Sequence, residues 1–326
     1  MKSFKNFVII LLFIVCLFTL SACGRNEKTK IGILQISTHD ALDSARTGII
    51  ESLEKNGYID GDNIEIIYRN PEGDDNILTA NSTYLVRNCD LVFAIATPAA
   101  TALQSAAILE GINVPIIFTA VTDPITASLI TSNEKPDGNI TGTNDMNPIE
   151  DQIELLIELI PDIKKFGIIY NVKEVNSEVQ ASKAKKVAEN NGIEVAIKTV
   201  ADALEISTTV KALINDGAEA IYVPTDNLMA SNMPAIASTC EELKIPVICG
   251  EEGMVKKGGT ITYSISYFEL GKITGEMGVK VLKGTAIKDI PVTSVDESGL
   301  VIVVNNENIS KIGLELPESI KERLNK

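Results

Sequence analysis

Asp90-Leu-Val-Phe-Ala-Ile-Ala-Thr97-Pro98 and Glu219-Ala-Ile-Tyr-Val-Pro-Thr225-Asp226 are two versions of one pattern, and the repeat decides the fold. Each is an apolar run that ends at a Thr-containing loop. That is the layout of a strand buried on both faces and followed by a helix. Downstream the correspondence continues, with Val114-Pro115-Ile-Ile-Phe against Ile245-Pro246-Val-Ile-Cys.

Outward from these pairs, short apolar runs alternate with helix-period segments. The first half predicts strands at 30–36, 63–68, 91–95 and 114–118, with helices at 41–56, 76–87 and 99–110. In the first helix Leu42, Ala45, Ile49 and Leu53 share a face, and Gly57 supplies the left-handed stop. After a polar break at Thr141–Pro148 the series restarts, with helices at 149–159, 177–191, 207–216 and 234–243 and strands at 166–170, 194–199, 220–223 and 247–249. Strands at 259–264 and 300–304 flank a last helix at 268–282. The expected architecture is α/β: two doubly wound, Rossmann-like lobes joined by a multi-strand hinge. The N-terminal lobe is assigned 30–143 plus 259–284, and the C-terminal lobe 144–258 plus 285–326.

The chain has 326 residues, of which 45% are hydrophobic, enough for two cores of ordinary size. Its net charge of −15 argues against nucleic acid, which is bound mainly through Lys and Arg. Lys2 and Lys5 precede an apolar run from Phe7 to Leu20 and then Leu20-Ser21-Ala22-Cys23. This is the layout of a secretory signal over 1–22, and the last four residues resemble a bacterial lipobox. Cys23 is therefore the expected lipidation site, with a polar tether over 23–29, on the extracellular face of a cytoplasmic membrane of Gram-positive type. Cys89, Cys240 and Cys249 remain; Cys240 and Cys249 could pair, but an odd number is no disulfide framework. No spacing suggests a metal.

In open α/β sheets, ligands bind beyond the carboxyl ends of the strands. Here those ends carry Ser37 and His39, Thr97-Pro98-Ala99, Thr122 and Asp123, Asn171, Asp226 and Asn227, and Glu251 with Glu252. Lobes that face each other across these loops would share one cleft and close on it by hinge bending. Thr97 reads as a helix N-cap with Pro98 at the first helical position, leaving the N–H groups of Ala99 and Ala100 for a carboxylate; a plain cap fits equally well. Asp226 reads as a partner for an ammonium group or, again, as a cap. Thr122-Asp123-Pro124 reads as a turn or a cap as well as a ligand contact, while Asn144 and Asp145 fall in the expected hinge, with ligand, hinge or neither as their contact. His39 is the only histidine, and neither a nucleophile motif nor a glycine-rich phosphate loop appears, so no catalytic residue, metal or cofactor is expected.

At these residues the chain resembles the bacterial ABC-transporter substrate-binding lipoproteins of the tryptophan/tyrosine type. The resemblance is carried in order by KIGILQISTHDALD, AIATPAATA, VPIIFTAVTDP, GNITGTND, FGIIYNVKEVNSE, AIYVPTDN, IPVICGEE and YSISYFELG, from Lys30 to about Leu270. The first loop departs from the family, with His39-Asp40-Ala41 in place of His-Pro-Ala. The resemblance implies a type I periplasmic-binding fold with three crossovers, an aromatic amino acid as ligand and delivery to an ABC permease. On that reading Thr97, with Thr122 or Ser37, holds the α-carboxylate and Asp226 the α-ammonium. Phe118, Tyr170, Tyr263 and Tyr267 are candidates for the aromatic slot, and His39 or Asp40 for a ligand hydroxyl or indole N–H. Another solute, such as a nucleoside or sugar, and a surface adhesion or sensing role are the alternatives.

Overall fold

The computed structural model describes residues 28–296 and 299–324. The signal segment 1–22, the lipidation site Cys23 and the tether up to residue 27 lie outside the described residues.

The first lobe is built from β1 (Thr29–Gln35), α1 (Asp40–Lys55), β2 (Ile64–Arg69), α2 (Asp75–Asn88), β3 (Leu91–Ile95), α3 (Thr97–Glu110), β4 (Ile116–Thr119) and β5 (Ile140–Gly142). Its five strands are parallel in the order β2-β1-β3-β4-β5. β3 is buried along its whole length, which is why its sequence is an unbroken apolar run, whereas the edge strand β2 alternates.

The second lobe begins with α4 (Ile149–Leu159), β6 (Lys165–Asn171), α5 (Val175–Asn190), β7 (Glu194–Val200), α6 (Ile206–Asn215) and β8 (Ile221–Val223). It continues through α7 (Asn227–Ser231), α8 (Met233–Glu242), β9 (Val247–Cys249), α9 (Glu252–Lys256) and β10 (Ile261–Ile265). After α10 (Tyr267–Leu282) come β11 (Leu300–Val304), α11 (Asn306–Ile312) and α12 (Glu318–Leu324). The sheet order is β11-β10-β9-β8-β6-β7, parallel except for the antiparallel edge pair β10–β11. Separate apolar clusters cover its two faces, while the first lobe has one continuous core. Among the described residues no helix is long and apolar enough to cross a membrane.

The expected lobe boundaries need correction. β10 pairs with β9 (Ile261 opposite Ile248), so residues 259–265 belong to the second sheet. The chain returns to the first lobe only with α10, and Ile287 and Ile290 stay in that lobe's core. Three segments therefore cross between the lobes: the stretch after β5, the stretch between β10 and α10, and the stretch leading into β11. Thr143 and Thr293 bridge the first and third, and Asn144 N–H donates to Thr293 O at 2.9 Å. Asn144, expected at the ligand or the hinge, thus ties two crossover segments together. Cys240 and Cys249 are buried free thiols, not a pair, and burial pushes the Cys240 thiol up to about 12.

α10 is held against α1 by glycines. A Cβ at Gly271 would overlap the Ala45 carbonyl, and one at Gly48 would overlap the backbone of Phe268 and Lys272. The two helix backbones meet with no side chain between them.

Candidate functional site

The strand ends of both lobes meet at a narrow cavity of about 20 Å³. From the first lobe it is lined by His39, Ala120 and Thr122; from the second by Asn176, Asp226, Asn227 and Glu251; from the crossovers by Asp145 and Tyr267. Ala120 has φ 54°, a left-handed backbone that a non-glycine residue adopts at a cost of roughly 1–3 kcal/mol. The sharp turn after β4 that brings Thr122 to the cavity contains this strained residue.

The carboxyl groups at the cavity are nearly inaccessible: Asp226 is 2% exposed, Asp145 3% and Glu251 2%. Asp226 caps α7, accepting from Met229 N–H at 2.9 Å, and also accepts from Asn171 N–H at 2.7 Å at the end of β6. Burial, and then the neighbouring Glu174 carboxylate, push the Asp226 carboxyl well above its ordinary range. Asp145 accepts from Tyr267 Oη at 2.6 Å and Thr122 Oγ1 at 3.0 Å, and burial raises it as well. Glu251 caps α9 through Met254 N–H at 2.9 Å and Gly253 N–H, and burial lifts it to about 7. No Lys or Arg lines the cavity among the described residues.

Glu251 has a measurable consequence. Its carboxyl is raised in the folded protein, so the native state holds more protons than the unfolded chain between about pH 4.5 and 7. Its contribution to stability is thus greatest at the acidic end of that window and declines as pH rises through it. Thermal melts should show Glu251→Gln improving relative to the parent from pH 5 to pH 7.5, by roughly 2 kcal/mol, with little further gain above. A pH-independent offset between the two proteins would contradict this.

Contacts across the cleft draw the lobes together. His39 Nε2 lies 3.3 Å from Asn227 Oδ1, Gln180 Nε2 donates to Thr122 Oγ1 at 3.2 Å, and the salt bridges Lys257–Asp40 (3.3 Å) and Lys173–Asp75 (3.7 Å) flank them. His39 is held below its usual pKa by burial.

Of the residues singled out in the sequence, His39, Thr122, Asp145, Asp226, Asn227, Glu251 and Tyr267 converge on the cavity. The others do not line it. Thr97 is not the cap of α3: Ala96 is, with φ 86°, and the Ala100 N–H closes the first turn on Ala96 O at 3.1 Å. The Ala100 N–H is therefore used within the helix. Ser37 and Pro98 line an adjoining groove, and Ala99 is packed in the first-lobe core. Phe118 is also core, its β4 position facing away from the cleft. Asp123 caps its own turn through Ile125 N–H (3.1 Å) and Thr126 N–H (3.0 Å). Tyr170 and Tyr263 pack at the edge of a second-lobe core.

Sequence reasoning passed over Glu174, Asn176 and Gln180. Glu174 accepts from the N–H groups of Asn227 (3.0 Å) and Leu228 (3.2 Å), tying α5 to the start of α7. Asn176 Nδ2 donates to Thr225 O at 2.9 Å, while Gln180 bonds the Thr225 backbone and side chain. The available signal was the i, i+4 spacing of Asn176 and Gln180 on a helix face otherwise made of the small residues Ser177, Ala181, Ala184 and Ala188.

Two mainly parallel sheets, three crossovers and an interlobe cavity define a type I solute-binding protein. The chain belongs to the ABC transporter substrate binding protein family, whose profile matches residues 30–326. It is a substrate-binding protein of an ABC transporter, a class that works outside the cytoplasm with a small-molecule ligand and a membrane permease. It is 39% identical over 302 residues to a tyrosine-binding protein of Clostridioides difficile strain R20291, covering 90% of this chain and 86% of the relative. An ABC domain from Streptococcus pneumoniae in complex with L-Trp superposes with a TM-score of 0.86 at 38% identity, covering 91% of this chain and 98% of the other. A ligand-free, open substrate-binding protein with adhesive properties from Clostridium difficile gives a TM-score of 0.67 at 40% identity, covering 89% of this chain and 96% of the other.

Proposed function

We propose that this protein captures an aromatic amino acid, tyrosine or tryptophan, by closing its lobes on it, and delivers it to its permease without chemical change. The observation that carries the reading is the cavity itself: a small space between the lobes, lined by buried carboxyls with no Lys or Arg beside them among the described residues and flanked by Tyr267. An α-ammonium group supplies the countercharge, and Tyr267 offers a flat apolar face. Asp226 and Asp145 are the proposed ammonium partners. His39 and Asn227 join the lobes over the bound molecule. The ligands of the C. difficile and S. pneumoniae relatives support the choice of side chain.

Calorimetry with the twenty amino acids, nucleosides and sugars tests this. Tyrosine or tryptophan is expected to bind at micromolar Kd or better; heat from nucleosides or sugars alone would reassign the ligand, and turnover would reopen an enzymatic role. The proposal includes anchoring through a lipid on Cys23. Cys23→Ser should release the protein from the membrane fraction into the medium, and unchanged fractionation would count against the anchor.

A further inference from the structure

We infer that the cavity recognises its ligand through a cationic nitrogen far more than through a carboxylate, so that aromatic amines lacking the carboxylate also bind there. This deepens the reading above and rests on it for the aromatic side chain.

The argument is an inventory of donors and acceptors. Asp145, Asp226 and Glu251 are anchored by neutral donors of the protein, so in their ionised form none has a partner of opposite sign at the cavity among the described residues. Glu174 adds acidity behind Asp226. Independently of these acids, two further acceptors at the cavity lack a partner. Asn176 is 5% exposed; its Nδ2 is committed to Thr225 O, which fixes the amide orientation and leaves Oδ1 without a hydrogen bond. His39 is the other. Asn227 donates its own Nδ2 to Glu174, so Asn227 Oδ1 accepts from His39 Nε2–H. Since burial keeps the imidazole neutral, Nδ1 carries a lone pair, and it too has no partner. An end of the ligand that offers several N–H donors and a positive charge satisfies all of these together.

A ligand carboxylate meets the opposite conditions. Of the hydroxyls that sequence reasoning offered it, Ser37 and Thr97 do not line the cavity, and Thr122 does but gives its proton to Asp145 Oδ1 at 3.0 Å; neither Lys nor Arg reaches the cavity among the described residues. Each of these buried acids repels a second anion in its ionised form, and an ammonium group is what stabilises that form. Removing the ammonium leaves buried charge uncompensated, whereas removing the carboxylate costs at most a few neutral hydrogen bonds.

The test is calorimetry on the full-length protein in detergent at pH 7.5, with three matched ligands for each ring. These are tyrosine, tyramine and 3-(4-hydroxyphenyl)propionate, and tryptophan, tryptamine and indole-3-propionate. The amine is expected to bind at least about 100-fold more tightly than the deaminated acid. A smaller margin, the reverse order, or binding of the parent amino acid with neither fragment overturns the inference while leaving the amino-acid reading intact. Binding of an amine with no binding of either parent amino acid would sink that reading and uphold the inference. Silence from all six ligands would sink both.

Discussion

Asp226→Asn is expected to weaken tyrosine or tryptophan binding by about 100-fold or more while leaving the melting temperature of the empty protein within a few degrees of the parent. The side chain has two jobs that the substitution separates. Its oxygens cap α7 and hold the end of β6, and Asn retains one acceptor for this purpose. Its charge is what an ammonium group needs, and Asn has none. Truncating one member of a buried charge pair costs about 2–5 kcal/mol, and each 1.4 kcal/mol is a factor of ten in affinity. In the empty protein the same charge is a burden, since burial and Glu174 both disfavour it, so its removal offsets part of the lost hydrogen bond. Calorimetry and thermal melts on the same preparation decide the matter. Unchanged affinity together with a large drop in melting temperature would make Asp226 a helix cap alone.

Gly271→Leu is expected to lower stability by about 3 kcal/mol or more, a fall of roughly 6–12 °C in thermal denaturation for a chain of this size. A Cβ at this position falls on the carbonyl, carbonyl carbon and Cα of Ala45, all backbone atoms that cannot rotate aside. α10 would have to lift from α1, and Leu270 and Met277 would leave the first-lobe core with it. Lys280→Leu, an exposed change on the same helix, is the control and should stay within about 0.5 kcal/mol. If both variants melt with the parent, the two helices are less tightly joined than described.

The strand-and-helix series was legible because parallel buried strands leave unbroken apolar runs. The Leu91–Ile95 strand and the Ile149–Leu159 helix fall where periodicity puts them. β5 escaped notice because a three-residue strand in a polar stretch has no pattern of its own. α7 and α9 escaped for a similar reason: five residues are too few to show a helical period. The same limit governs the site. Strand-end loops pointed to His39, Asp226 and Glu251, because topology places such loops together. Nothing local shows that Asp145 and Tyr267, 122 positions apart, share a hydrogen bond. Phe118 illustrates the converse: proximity to a strand end says nothing about which way a side chain faces, and this one faces the core.

The three connections between the lobes also dictate how the molecule can be watched. One strap would permit twisting, sliding and swinging; three side by side suppress the first two and leave a swing about one axis. A single pair of fluorophores, one on Glu72 and the other on Asp202 across the mouth of the groove they both line, then reports the whole motion as one number. Donor–acceptor transfer traces from individual immobilised molecules should accordingly hop between two levels, without a continuum of intermediate ones.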